Sequence, residues 1–238
     1  MHTEYFQTFG NLLIQSGNFH FHQCMLRSYF KLCWQVDVEA MCESIALDTV
    51  KAKFMVSKVT DYHKSLDIAR TVRAARIREL VTPYCKFAKQ NNLKVSVKDY
   101  LMWKNVHVKS ENYEVTFDIE RIFGTSLFMY LSAMRSNNLK LLDVAKNCFA
   151  SLFHVNNNSN YSIIDIYEQY QNLQMKKYAP HLYEYLKPRR FINKSGKAFG
   201  YQPLDAIHEG KLSNTKILCL LLNSTPTQNT FYIDCNDI

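Results

Sequence analysis

A mainly α-helical domain is what this sequence predicts, and three observations predict it. Glycine and proline are scarce, six and five in 238 residues, which disfavours a turn-rich β architecture. Apolar residues recur at helical spacing over most of the chain. The interruptions are short polar clusters, Gln90-Asn91-Asn92, Ser136-Asn137-Asn138 and Asn156 to Asn160, of the kind that stop and restart helices. With 47% hydrophobic and 13% aromatic residues the chain can fill a sizeable core.

Taken in order, Asn11 to Gln15 reads as a short apolar strand closed by Ser16-Gly17-Asn18. Helical spacing begins near Phe19 and runs through Met25, Leu26, Tyr29, Phe30 and Cys33, and Val38 to Leu47 is a second helix. Asp61 to Lys89 is the longest, with Leu66, Ile68, Ala69, Val72, Ala75, Ile77, Leu80 and Val81 as its apolar set. Pro83 is expected to kink or split it. Ser96 to Val108 is open between helix and loop, and Ser96 is placed to cap a short helix before Trp103. Val115 to Arg135 carries a wide apolar stripe from Phe117 to Met134. Leu139 to Phe153, Ser162 to Gln171 and Pro180 to Leu186 complete the helical part, and Pro188 ends it.

Arg189 to Leu212 then reads as two short strands around a glycine turn, followed by a helix holding Asp205, His208 and Glu209. The expected organisation is one helical bundle domain over 1–222, with a long helical middle over 61–187 and a hairpin plus helix over 189–213. The remainder, 223–238, is expected to be loosely ordered, with a candidate edge strand at Thr230 to Ile233.

The net charge is +8 and the pI about 9.0, which suits a polyanionic partner such as nucleic acid. Seven cysteines stand singly at 24, 33, 42, 85, 148, 219 and 235, with no C-x-x-C pair, as expected of free thiols in a reducing compartment. No apolar run approaches the ~18 residues of a membrane span. These features predict an intracellular protein, nuclear or cytoplasmic, with no membrane partner.

Four groups of residues could carry function. His20, His22 and Cys24 alternate, so on an extended segment they would present three metal ligands to one side; otherwise they are structural groups. Arg70, Arg73 and Arg76 recur every third residue and would form a drifting basic stripe on a helix, fit either to track phosphates or to face water opposite the core. Arg189, Arg190, Lys194 and Lys197, with Lys187, are interleaved with Tyr183, Tyr185, Phe191, Phe199 and Tyr201; cations mixed with aromatics suit single-stranded or distorted nucleic acid. Asp205 and Glu209, four apart on one helix face with His208 beside them, could hold Mg²⁺ for phosphoryl transfer, or could be a plain acidic first turn. There is no P-loop, G-x-S-x-G, G-x-G-x-x-G or H-E-x-x-H.

Three stretches together resemble one family. They are Gly17-Asn18-Phe19-His20; the helical middle from Phe123 to Tyr161, with its polar break before Leu139-Lys140-Leu141 and its Ala150 to Ser162 segment; and Phe191 to Glu209. The family is the transposon-borne domain of unknown function 6589, distantly similar to DDE transposases. The resemblance implies that Glu209 stands where the last acid of a DDE triad would fall, with Asp205 supporting it and His208 as a neighbouring polar group. It also implies that this chain corresponds to a C-terminal part of such a protein, short of the upstream acids and so catalytically incomplete. Three functional expectations result: a transposase-derived, DNA-contacting domain; a Mg-dependent transposase or nuclease fragment using Glu209; and a helical protein-interaction module.

Overall fold

The computed structural model describes residues 17–156 and 159–209. The chain is helical over most of this span, and its strands there are one two-residue antiparallel pair near the end, so the mainly α fold is observed. The strand expected at Asn11 to Gln15, the 210–213 end of the last helix, and the 223–238 tail with its edge strand lie outside the described residues.

Helix α1 (Asn18–Cys33) is the centre of the core. Phe21, Met25, Leu26, Tyr29, Phe30 and Cys33 recur at three- and four-residue spacing and are fully buried. Each such apolar side chain contributes roughly 1.5–3 kcal/mol on leaving water. The helix runs on into a π-helical turn (Trp34–Val38) and then α2 (Glu39–Ser44).

A short helix that the apolar pattern did not announce, α3 (Val50–Ser57), comes next. Its start is fixed by Thr49, whose Oγ1 accepts the Ala52 N–H at 3.2 Å.

Helix α4 (Tyr62–Gln90) begins at Asp61, whose carboxylate accepts the Lys64 N–H at 3.1 Å. It continues through Pro83 as one element of 29 residues, about 43 Å long, so the expected split does not occur. Its first half packs Leu66, Ile68, Ala69 and Val72 into the main core. Its second half packs Tyr84 and Ala88 into a smaller cluster with Tyr100, Trp103 and Phe117.

Helix α5 (Val97–His107) resolves the open 96–108 stretch. Ser96 Oγ accepts the Asp99 N–H at 3.1 Å, which satisfies an otherwise orphaned donor of the first turn.

The apolar run around Val115 to Arg135 becomes α6 (Glu111–Asp118), a second π-helical turn (Ile119–Gly124) and α7 (Thr125–Ser136) without a break. Asn137 takes a left-handed conformation (φ 51°), and Asn138 caps α8 (Leu139–Val155) by accepting the Leu141 N–H at 3.1 Å. Helix α9 (Ser159–Tyr178) is longer at both ends than its apolar pattern suggested, and α10 (Pro180–Leu186) begins after one residue. Pro188 lies inside a 3₁₀ turn (Lys187–Arg190) that leads into β1 (Phe191–Ile192). β1 pairs with β2 (Gln202–Pro203), Phe191 opposite Pro203 and Ile192 opposite Gln202. Gly196, in the connecting turn, has φ +65°, a conformation other residues rarely adopt. Helical residues 204–209 close the described chain.

The arginine stripe of α4 is not a stripe in the fold. Arg76 is buried (3% exposed) and its guanidinium binds Asp37, Glu120 Oε1 (3.1 Å) and the Tyr29 hydroxyl (2.7 Å). Arg73 is partly buried, donating to the Gly124 carbonyl at 2.8 Å and lying 4.9 Å from the Phe128 ring centre. Arg70 alone of the three faces water, in an exposed pair with Asp67 at 2.7 Å. The expectation of three phosphate-tracking cations on one face is corrected accordingly: the helix rotates Arg76 into the core, where two carboxylates neutralise it.

Replacing Arg76 by alanine leaves Glu120 buried with less compensation, a loss of about 3–5 kcal/mol. Arg70→Ala, which breaks only a surface pair, is expected to change stability by about 0.5 kcal/mol or less. Urea denaturation midpoints of the two variants check the contrast.

Candidate functional site

The fold brings together two stretches that are far apart in sequence, Gly17 to His20 and Asp205 to Glu209. Helix α1 has no side-chain cap of its own, because its N-cap residue is Gly17. Asp205 supplies the cap from the other end of the domain. Its Oδ2 accepts the N–H groups of Phe19 (2.9 Å) and His20 (3.1 Å), and Oδ1 also approaches Phe19 N at 3.2 Å. A carboxylate on these first-turn donors satisfies groups that would otherwise be orphaned and faces the positive end of the helix dipole. Gly17 is required by closeness: a Cβ there would run into the Asp205 carboxylate.

His20 lies between the two acids. Its Nδ1 is 3.1 Å from Asp205 Oδ2 and its Nε2 is 2.9 Å from Glu209 Oε1. Asp205 and Glu209 do share a helix face, but that face meets a histidine and a helix N-terminus. The reading of this pair as a free acid dyad for Mg²⁺ is corrected in that respect. Among the described residues, no cluster of three or more His, Cys, Asp or Glu side chains has metal-binding geometry.

Beside this junction runs an open cleft of about 450 Å³, lined by Gly17, Asn18, Leu186, Arg189, Arg190, Leu204, Asp205 and His208. His208, the third member of the expected catalytic set, lies on the wall of this cleft. Asn18 is anchored by the Tyr130 hydroxyl, which donates to its Oδ1 at 3.0 Å.

The His20/His22/Cys24 alternation falls on helix α1, where successive even positions turn by about 200° and cannot share a side. His20 points to Asp205, while His22 and Cys24 are buried. The His22 ring bridges the Tyr62 hydroxyl (Nδ1, 2.8 Å) and the Leu127 carbonyl (Nε2, 3.1 Å) and stacks on Tyr130. Since Leu127 offers only an acceptor, Nε2 carries the proton and Nδ1 accepts from Tyr62. Burial lowers the His22 pKa from the ordinary 6.5 to about 4, partly offset by the Leu127 carbonyl and reinforced by Arg70 and Arg135.

The hairpin cations divide. Arg190 is nearly buried, bonded to Glu168 at 2.6 Å and Asn172 at 3.1 Å, and is structural. Arg189 is exposed, with its guanidinium 3.5 Å from the Tyr185 ring centre. Lys194 and Lys197 are exposed in the hairpin turn. Sequence reasoning named Lys187 but passed over two cations at the end of α9, Lys176 and Lys177. Lys176 lies 4.9 Å and Lys187 5.4 Å from the Tyr183 ring centre, and Lys177 lies 4.9 Å from that of Tyr178. Their signal was the composition of 176–197, which holds seven Lys or Arg against one carboxylate, Glu184.

No family model, curated protein or solved structure matches the chain.

Gly17→Ala and Asp205→Ala are expected to cost about 1–3 and 0.5–2 kcal/mol respectively. Because both act on one contact, the double variant should lose less than the sum, as a denaturation double-mutant cycle would report. Stability should also fall on acidification between pH 6.5 and 4. There the unfolded His22 takes up a proton that the folded ring refuses, so stability is full above 6.5 and declines by up to about 1.4 kcal/mol per pH unit below it. His22→Asn should flatten that dependence in denaturation curves taken across the window.

Proposed function

We propose that this chain contacts single-stranded or distorted nucleic acid through the surface running from the end of α9 across α10 to the hairpin. One observation carries the reading. Four cations, Lys176, Lys177, Lys187 and Arg189, lie against the rings of Tyr178, Tyr183 and Tyr185, and none of the four forms a salt bridge with a described carboxylate. Cations without a carboxylate partner attract phosphates and release their counterions, while exposed tyrosine faces accept stacked bases whatever the sequence. Tyr178 and Phe199, 70% and 63% exposed, extend the supply of rings at either end. Of the seven cations in 176–197, Arg190 is paired with Glu168; the other six stand against one carboxylate, Glu184, and give the segment a positive local field.

In this reading Asp205, His208 and Glu209 take no part in catalysis, since Asp205 is committed to the α1 terminus and Glu209 to His20. The domain is then a catalytically incomplete, nucleic-acid-contacting relative of the transposon-borne family that its motifs resemble.

The test is fluorescence anisotropy with single-stranded oligonucleotides across 50–200 mM salt, a range in which a phosphate-contacting protein loses affinity steeply. Exchanging Lys187, Arg189, Lys194 and Lys197 for alanine should flatten the log–log salt slope by about 0.7 for each phosphate no longer neutralised. Tyr185→Ala should cost about 1–3 kcal/mol if a base stacks there. Absence of binding at 50 mM salt, or a slope indifferent to those substitutions, would sink the reading.

A further inference from the structure

Helix α9 has its polarity inverted. Its inward side carries Asp165 and Glu168, which are 4% and 3% exposed. They are held there by Lys146 of α8, 3.3 and 2.9 Å away, and by Arg190 on Glu168. Its outward side carries Ile163, Ile166, Tyr167, Tyr170 and Leu173, between 40% and 63% exposed. The apolar positions 163, 166, 170 and 173 repeat with a 3-4-3 spacing, which is the a/d seam of two heptads and about 15 Å long. Five large apolar side chains in one stripe leave several hundred Å² of apolar surface in water, an amount that marks an interaction site on a soluble domain.

The charges around the seam say what covers it. The neighbouring e and g positions are Tyr167, Gln169, Gln174 and Lys176, and Lys177 takes the next a position. The two acids of α9 are turned inward, so the rim offers cations and amides and no carboxylate. A second copy packed in parallel would set Lys176 and Lys177 against themselves. An antiparallel copy would set them against the first turn near Asn160, at the positive end of the partner helix. Neither arrangement supplies an opposite charge.

We propose that the α9 stripe is the docking seam for an acidic amphipathic helix of another protein, with apolar residues at a and d and Glu or Asp at the flanking positions. Its apolar seam inserts between Ile163, Ile166, Tyr170 and Leu173, and its acids meet Lys176 and Lys177. The apolar seam is not used by the nucleic-acid reading, but Lys176 and Lys177 belong to both.

The probe is a synthetic helical peptide of about 21 residues, three heptads, with Leu at a and d and Glu at e and g; its control carries Lys at e and g. Binding to the full chain is read by fluorescence anisotropy, with sedimentation of the chain alone alongside. The Glu peptide should bind at least tenfold tighter than the Lys peptide, and Ile166→Ser and Leu173→Ser should each weaken it at least tenfold. The same two variants should keep the wild-type circular dichroism and the wild-type affinity for oligonucleotides, whether that affinity is measurable or nil. Equal affinity for the two peptides, or indifference to both serine substitutions, overturns the proposal. So does a concentration-dependent dimer that Leu173→Ser abolishes, because a second copy then covers the seam.

Discussion

The guanidinium of Arg76 is the point at which four segments of this fold are tied. It comes from α4 and reaches Tyr29 on α1, Asp37 on the first π-helical turn and Glu120 on the second. Each π turn inserts an extra residue into a helix and so rotates the downstream helix relative to the upstream one. Both of the acids that neutralise Arg76 sit in such turns. A regular α-helix through either position would aim the carboxylate elsewhere and leave a charge stranded in the core, which is among the costliest faults a fold can carry. The Tyr29 phenol, raised far above its ordinary pKa by burial and by Glu120, stays protonated and completes the set as a donor to Glu120. Gly124 belongs to the same arrangement, because a Cβ there would strike the Glu120 carboxyl.

Much of the helix plan was legible in the sequence because helix ends are decided locally. Asp61, Ser96 and Asn138 each stand one residue before a helix and cap it through their own side chain, so position and residue type suffice. Helix α3 was not legible, because Val50 and Phe54 face water and only Val56 is buried, which leaves no one-sided stripe to detect. Arg76 was misread for the complementary reason. A three-residue spacing describes a surface, but which part of that surface faces inward is decided by Asp37 and Glu120, 39 and 44 residues away. The Asp205 cap is the extreme case: the gap in α1 is visible at Gly17, but its filler lies beyond the reach of any local rule.

Charge in the C-terminal third is sorted by depth. Asp165 and Glu168 are drawn inside with Lys146 and Arg190, and burial raises the Asp165 pKa above the ordinary carboxylate range. The charged side chains that remain exposed on α9, α10 and the hairpin are cationic, with Glu184 the exception. In this part of the chain the exposed charge is mostly positive, while Asp165 and Glu168 serve as internal fasteners. Both proposed partners, each of them anionic, rest on this sorting.

The contact between Phe19 and Asp205 spans 186 residues, and this has a consequence for birth as well as for shape. At about 5–20 residues per second, roughly 10–40 s separate the emergence of α1 from that of the residue that caps it. Through that interval the helix at the centre of the core has an open first turn, and α8, against which it also packs, is itself made late. A helix made early is among the last to be completed. A nascent chain halted before residue 205 would hold most of its helices while lacking the clasp that joins α1 to the far end of the domain.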